Sequence, residues 1–107
     1  MRALVYGAVL AAALAAPAFA TADHVVNFTF SGSGRHPSVK SIKEYILGCL
    51  PNKTRTFGGD PGDSAGPWDV ETPAIKDREL SNDDVKLYLS VCKIRPSRVA
   101  TITVTDD

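Results

Sequence analysis

Proton transfer or nucleophilic attack near neutral pH needs a suitable side chain, and apart from its two cysteines this chain offers the histidines His24 and His36. His36 stands between Arg35 and Pro37, with Lys40 and Glu44 following. An acid, a base and a cation suffice for a hydrolase that uses no metal, and Arg35, His36 and Glu44 are residues of those types. Nothing in their spacing requires that chemistry. No nucleophile stands beside a base, no carboxylates are paired for acid–base work, and no Cys/His set has ligand spacing. His36 precedes a proline in a turn and His24 lies close to the start of the folded part, so both read as surface histidines. No catalytic residue, metal or cofactor is expected.

The same stretch has a second possible use. Gly32-Ser33-Gly34 can turn the chain sharply and hand it to a helix starting near Ser38, which places backbone N–H donors beside Arg35, His36 and Lys40. Such a junction suits a small anion or an envelope glycan, with Gly32, Gly34, Arg35, His36 and Lys40 as its residues. It lacks the third glycine of a dinucleotide fingerprint and the Gly-Lys-Ser/Thr of a P-loop, so a plain tight turn competes with the ligand site.

Acidic oxygens gather further on, at Asp60, Asp63, Asp69 and Glu71. They do not reproduce the calcium loop of an EF-hand, and a solvated loop is the simpler reading. That loop, 58–67, is rich in Gly, Pro and Asp and ends at Trp68. Long loops in small domains are often functional, so Asp60, Asp63 and Trp68 are the expected partner-binding residues. A tryptophan closing the edge of a small core is the structural alternative.

Cys49 and Cys92 are the only cysteines. In an oxidising compartment they have a single pairing, and without C-x-x-C spacing they read as a structural disulfide.

These residues need elements to hold them. Val26, Phe28 and Phe30 alternate with Asn27, Thr29 and Ser31, the pattern of a strand over 25–31 with one buried face. Val39, Ile42, Ile46 and Leu50, joined by Tyr45 and Cys49, form one helical stripe that Pro51-Asn52 ends. Lys53 to Phe57 is a possible short strand. Trp68 to Ile75 is another, which Pro73 restricts to an edge position or a short length. Ser81 and Asp84 resemble a capping box ahead of a helix whose stripe is Val85, Tyr88, Leu89 and Cys92. Val99 to Thr105 alternates again, with Ala100, Ile102 and Val104 expected on one face and Val99 and the threonines on the other. If the first and last strands are neighbours, Asn27, Thr29, Thr101, Thr103 and Thr105 make one polar sheet face.

The predicted fold is α+β: a small two-layer α/β sandwich in ferredoxin-like βαββαβ order, with a mostly antiparallel sheet, two helices on one face and one disulfide.

Arg2, the apolar run from Leu4 to Ala16, and Ala18-Phe19-Ala20 read as a secretory leader cleaved after Ala20 or Ala22. The run is too short to span a membrane and Pro17 interrupts it. The expected organisation is thus a removed signal peptide, 1–22, and a single domain, 23–107, in the periplasm or outside the cell. Losing Arg2 leaves 11 of 12 basic residues against 12 acidic ones, a near-neutral balance that does not favour a nucleic-acid partner. Bases predominate from Asp23 to Phe57, acids from Gly58 to Asp84.

The strand, Gly-rich turn, His36-Pro37 and helix ending in Cys49-Leu50 resemble one segment of the bacterial subtilisin inhibitors, exported proteins that block serine proteases. The strand lacks the cysteine that family has there, and no reactive-site residue carries over. The element order also resembles the small periplasmic domains at the N-termini of secretins and TonB-dependent receptors. The expected function is an exported, non-enzymatic binding protein of inhibitor- or immunity-like type, a monomer or weak homodimer recognising a protein of the cell envelope. A module for an anionic ligand or glycan is the second reading and a small hydrolase the third.

Overall fold

The computed structural model describes residues 21–59 and 62–106. Almost all of the expected leader lies outside that range, as does Asp60. The elements run β1 (Thr21–Phe30), α1 (Val39–Cys49), β2 (Arg55–Gly58), β3 (Trp68–Pro73), α2 (Asn82–Val91) and β4 (Val99–Asp106). The sheet order is β2-β3-β1-β4 and every neighbouring pair is antiparallel. This is the βαββαβ sandwich that the periodicities predict.

Alternation in the strands decides which face the helices cover. Val26 and Phe28 of β1, Trp68 and Val70 of β3, and Ile102 of β4 form one buried cluster with Ile42, Tyr45 and Ile46 of α1 and Val85 and Leu89 of α2. Each large apolar side chain so buried stabilises the fold by about 1.5–3 kcal/mol relative to exposure. No helix among the described residues is long and apolar enough to cross a membrane.

Both helices start where their cap residues dictate. Ser38 accepts from the Ser41 amide at the head of α1. At the head of α2, Ser81 accepts from the Asp84 amide while the Asp84 carboxylate accepts from the Ser81 amide, completing the capping box. Arg78, presented by a small hairpin closed by Ile75 and Arg78, donates to the same carboxylate at 2.9 Å. The Ser81 amide and then Arg78 hold the Asp84 carboxyl below the usual carboxylate range.

At their far ends the helices are tied together. Cys49, the last residue of α1, is disulfide-bonded to Cys92, the C-cap of α2, with Cα atoms 5.7 Å apart. Tyr45 packs edge-on to Phe28 and donates its hydroxyl to the Leu89 carbonyl. Burial pushes the Tyr45 hydroxyl pKa up, and Arg95 partly opposes this.

Of the two options that Pro73 left for β3, an edge position or a short strand, the structure has the short strand: β3 ends at Pro73, which interrupts no ladder beyond it, and lies between β2 and β1. Two local expectations are corrected. β1 starts at Thr21 and carries His24 on the core side, 3 % exposed, so His24 is not a surface histidine. In β4 it is Val99 that is buried and Ala100 that is exposed, the reverse of simple alternation. The register against β1 shifts between Thr29/Phe30, where Thr29 pairs with Thr101 but Phe30 with Val99. Ala100 is thus the extra residue of a bulge, and it turns Val99 inward.

Candidate functional site

Among the described residues, the helices leave the other face of the sheet uncovered. Phe57, Asp69, Val25 and Thr105 are successive cross-strand partners in a row crossing all four strands. Arg55, Glu71 and Asp23 form the next row. On the β1–β4 side, Asn27 lies opposite Thr103 and Thr29 opposite Thr101. The polar face inferred from these threonines therefore exists, since the first and last strands are indeed neighbours.

Phe57 is the large apolar side chain of that face and is 50 % exposed. The Arg55 guanidinium lies 5.4 Å from its ring centroid and 3.7 Å from the Glu71 carboxylate. A shallow hollow of about 170 Å³ is lined by Asp23, Phe57, Asp69 and Glu71 together with Val70. An aromatic ring with a cation beside it, on a rigid sheet and edged by acids, is suited to contact rather than catalysis. Phe57 was not singled out from the sequence. The signal was its position opposite Asp69, which only the β2–β3 register reveals.

Trp68 does not offer its ring to a partner. It is 1 % exposed, and its indole N–H donates to the Ser64 carbonyl at 3.1 Å. Gly59 and Gly66 lie so close to it that a Cβ on Gly59 would be 2.4 Å from the ring, and one on Gly66 3.1 Å from it. Ser64, itself buried, donates to the Pro37 carbonyl, and the Ala65 carbonyl accepts from the Phe28 amide. Asp63 is exposed and its carboxylate accepts from the Ala65 amide, a turn-forming bond. The glycines permit the loop to lie on the indole, which makes Trp68 the loop's anchor within the core.

At the first turn, Gly32 and Gly34 have φ of +79° and +107°, the left-handed region that glycine enters without strain. Arg35, His36 and Lys40 are exposed. His36 packs on Phe30 with ring centroids 4.8 Å apart, and Lys40 is 4.0 Å from Glu44. A further cation joins them from the other end of the chain: Arg98 donates to the Ser33 carbonyl and its guanidinium lies against Gly34. The Ser38 hydroxyl occupies the Ser41 amide, so one of the donors an anion would use at the α1 N-terminus is already taken.

His24 belongs to a closed polar network. Asn82 donates its Nδ2 to the Asp106 carboxylate at 2.7 Å, which can only accept, so Asn82 Oδ1 faces the ring. His24 Nδ1 donates to that oxygen at 2.6 Å, and Nε2 lies 3.2 Å from the Thr72 hydroxyl. Both nitrogens are engaged, as a buried structural histidine requires. The adjoining cavity of about 520 Å³ is bordered by Asp23, Glu79, Asp83 and Asp106. Among the described residues no group of three or more His, Cys, Asp or Glu is arranged to hold a metal ion.

The chain matches no family model, and no curated protein or solved structure is significantly similar to it. The two likenesses noted in the sequence thus extend no further than the segment and the element order that carry them.

Proposed function

We propose that the chain is an exported, non-enzymatic binding protein that recognises another protein of the cell envelope, in an inhibitor- or immunity-like role, through the uncovered face of its sheet. The observation that carries this reading is the row Phe57, Asp69, Val25 and Thr105 beside Arg55 on the sheet, with no helix of the described residues over it. The acids Asp23, Asp69 and Glu71 on that face favour a partner surface with basic groups. Export is supported by the leader-like residues 2–20 and by the Cys49–Cys92 bond, which an oxidising compartment preserves. Cleavage after Ala20 keeps Thr21 and Ala22 in β1, where they pair with Pro73 and Thr72.

The test is affinity capture from an envelope extract of the source cell, with the oxidised protein compared with Phe57→Ser and Thr103→Lys. Both positions are outside the core, so the variants should fold, which circular dichroism checks. Specific capture of one protein by the parent and its loss in both variants is expected. Equal capture by all three, or capture by none, overturns the reading. In that event the anionic-ligand alternative at Gly32–Lys40 gains weight, because Arg98 adds a cation to that turn. Replacing Arg35 and Lys40 by Ala would then abolish binding of phosphate or an acidic glycan.

A further inference from the structure

The outer side of β4 and the flank of α2 enclose a groove of about 200 Å³ at the opposite edge of the sheet from Phe57. Val99–Ile102 form its strand side, and Lys86, Ser90 and Arg95 form its helix side. Among the described residues β4 has β1 as its neighbour on one side and no strand on the other, so alternate N–H and C=O groups along it point outward with no ladder partner there. The bulge at Ala100 ends the regular pairing, and the stretch beyond it, Thr101–Thr105, contains neither charge nor proline. Those are the usual obstacles to the addition of another strand.

The walls of the groove select the chemistry of such a strand. No carboxylate lines it, and among the described residues neither Lys86 nor Arg95 has an acidic partner. Arg95 caps the Ser90 carbonyl at the end of α2 and also hydrogen-bonds the Tyr45 hydroxyl, which fixes its guanidinium beside the groove; its five N–H donors outnumber these two partners. We propose that this groove receives an extended acidic segment of a partner protein, which adds as a strand to β4 at Thr101–Thr105 and sets a Glu or Asp side chain against Lys86 and Arg95. Backbone pairing supplies attachment and the two cations supply selectivity. A second copy fits less well, because a two-fold axis at the groove would bring each copy's Lys86 and Arg95 to one seam, like charge against like. Thr103 and Thr105 of β4 belong both to the open face and to this edge, but Phe57, which carries the open-face reading, lies on β2 at the far edge of the sheet and separates the two proposals.

The test is an NMR titration of the isotopically labelled, disulfide-bonded protein at low salt with a blocked peptide alternating threonine and glutamate. Amide shifts concentrated at Thr101–Thr105 are expected, with binding about tenfold or more weaker for Lys86→Glu. The same peptide with lysine for glutamate should bind Lys86→Glu in preference to the parent. N-methylation of alternate peptide amides should abolish binding in one of its two phases, because only one set of amides faces β4. Undiminished binding of both N-methylated forms would overturn strand addition. No shifts at Thr101–Thr105, or an equal response to the lysine peptide in the parent, would overturn the acidic segment. Concentration-dependent shifts at the same amides without peptide, with a dimer by sedimentation, would show that a second copy is the occupant and overturn the proposal. Phe57→Ser should bind the peptide like the parent, so failure of the open-face reading leaves this result intact.

Discussion

Replacing Trp68 by Ala should unfold much of what holds the loop and the sheet together. The indole is 1 % exposed, donates to the Ser64 carbonyl and lies against Gly59 and Gly66. Truncating a buried aromatic to Ala costs about 3–5 kcal/mol, since transfer free energy is lost and a cavity remains. A small domain has about 5–15 kcal/mol in all, so the variant is expected to be marginal. At roughly 4–8 °C per kcal/mol for a domain of this size, Tm should fall by at least about 12 °C. Trp68→Phe keeps most of the ring and loses the N–H, so its cost should be nearer 1–2 kcal/mol. Trp68 is the only tryptophan, so urea unfolding has to be followed by far-UV circular dichroism. A Trp68→Ala variant within about 1 kcal/mol of the parent would refute the packing argument. If that variant also failed to capture a partner that the parent captures, the indole would be a contact residue after all.

Gly59→Ala places a Cβ 2.4 Å from the indole at a φ of +72°, and should cost about 1–3 kcal/mol in the same unfolding assay through overpacking and backbone strain. Replacing Cys49 and Cys92 together by Ala opens a loop of 43 residues and should cost about 4 kcal/mol, measured by urea titration against the oxidised parent. The Asp84 carboxyl lies below its ordinary pKa in the folded state, so its contribution to stability is complete above the ordinary carboxylate range. That contribution should disappear as pH falls through the lowered value, and Asp84→Asn should flatten the acid limb of the stability–pH profile. Tyr45 holds its proton more tightly when folded, so stability should decline as pH rises through the ordinary tyrosine value, and Tyr45→Phe should remove that alkaline loss.

Local chemistry explains why so much of the architecture was legible in one sequence. The helix stripes at Val39–Leu50 and Val85–Cys92 and the strand alternation at Val26–Phe30 are short-range patterns that set which face is apolar. The capping box at Ser81 and Asp84 is closed within one turn, so its residues sufficed to locate the start of α2. The cysteines had only one pairing available, and their places on the two core stripes made it geometrically reasonable.

The misplaced residues all depended on neighbours distant in sequence. His24 resembled a terminal surface residue because Asn82 and Thr72, which engage it, and Asp106, which holds Asn82, come from other elements. Of the two places the sequence left open for Trp68, the structure has the core one, and the exposed aromatic is Phe57; the β2–β3 register and the residues packed on the indole decide this. The bulge at Ala100 depends on β1 pairing with β4 and cannot be read from β4 alone.

The sequence by itself therefore determined the two helices with their N-caps, the first and last strands and the disulfide, because each depends on spacing within a segment or on a choice with one solution. Tertiary structure alone decided which strands are neighbours, which aromatic is exposed, and that Arg98 meets the Ser33 turn while Lys86 and Arg95 line an open edge. Those outcomes come from register and from contacts between residues far apart in the chain, where a shift of one position reverses every side chain of a strand.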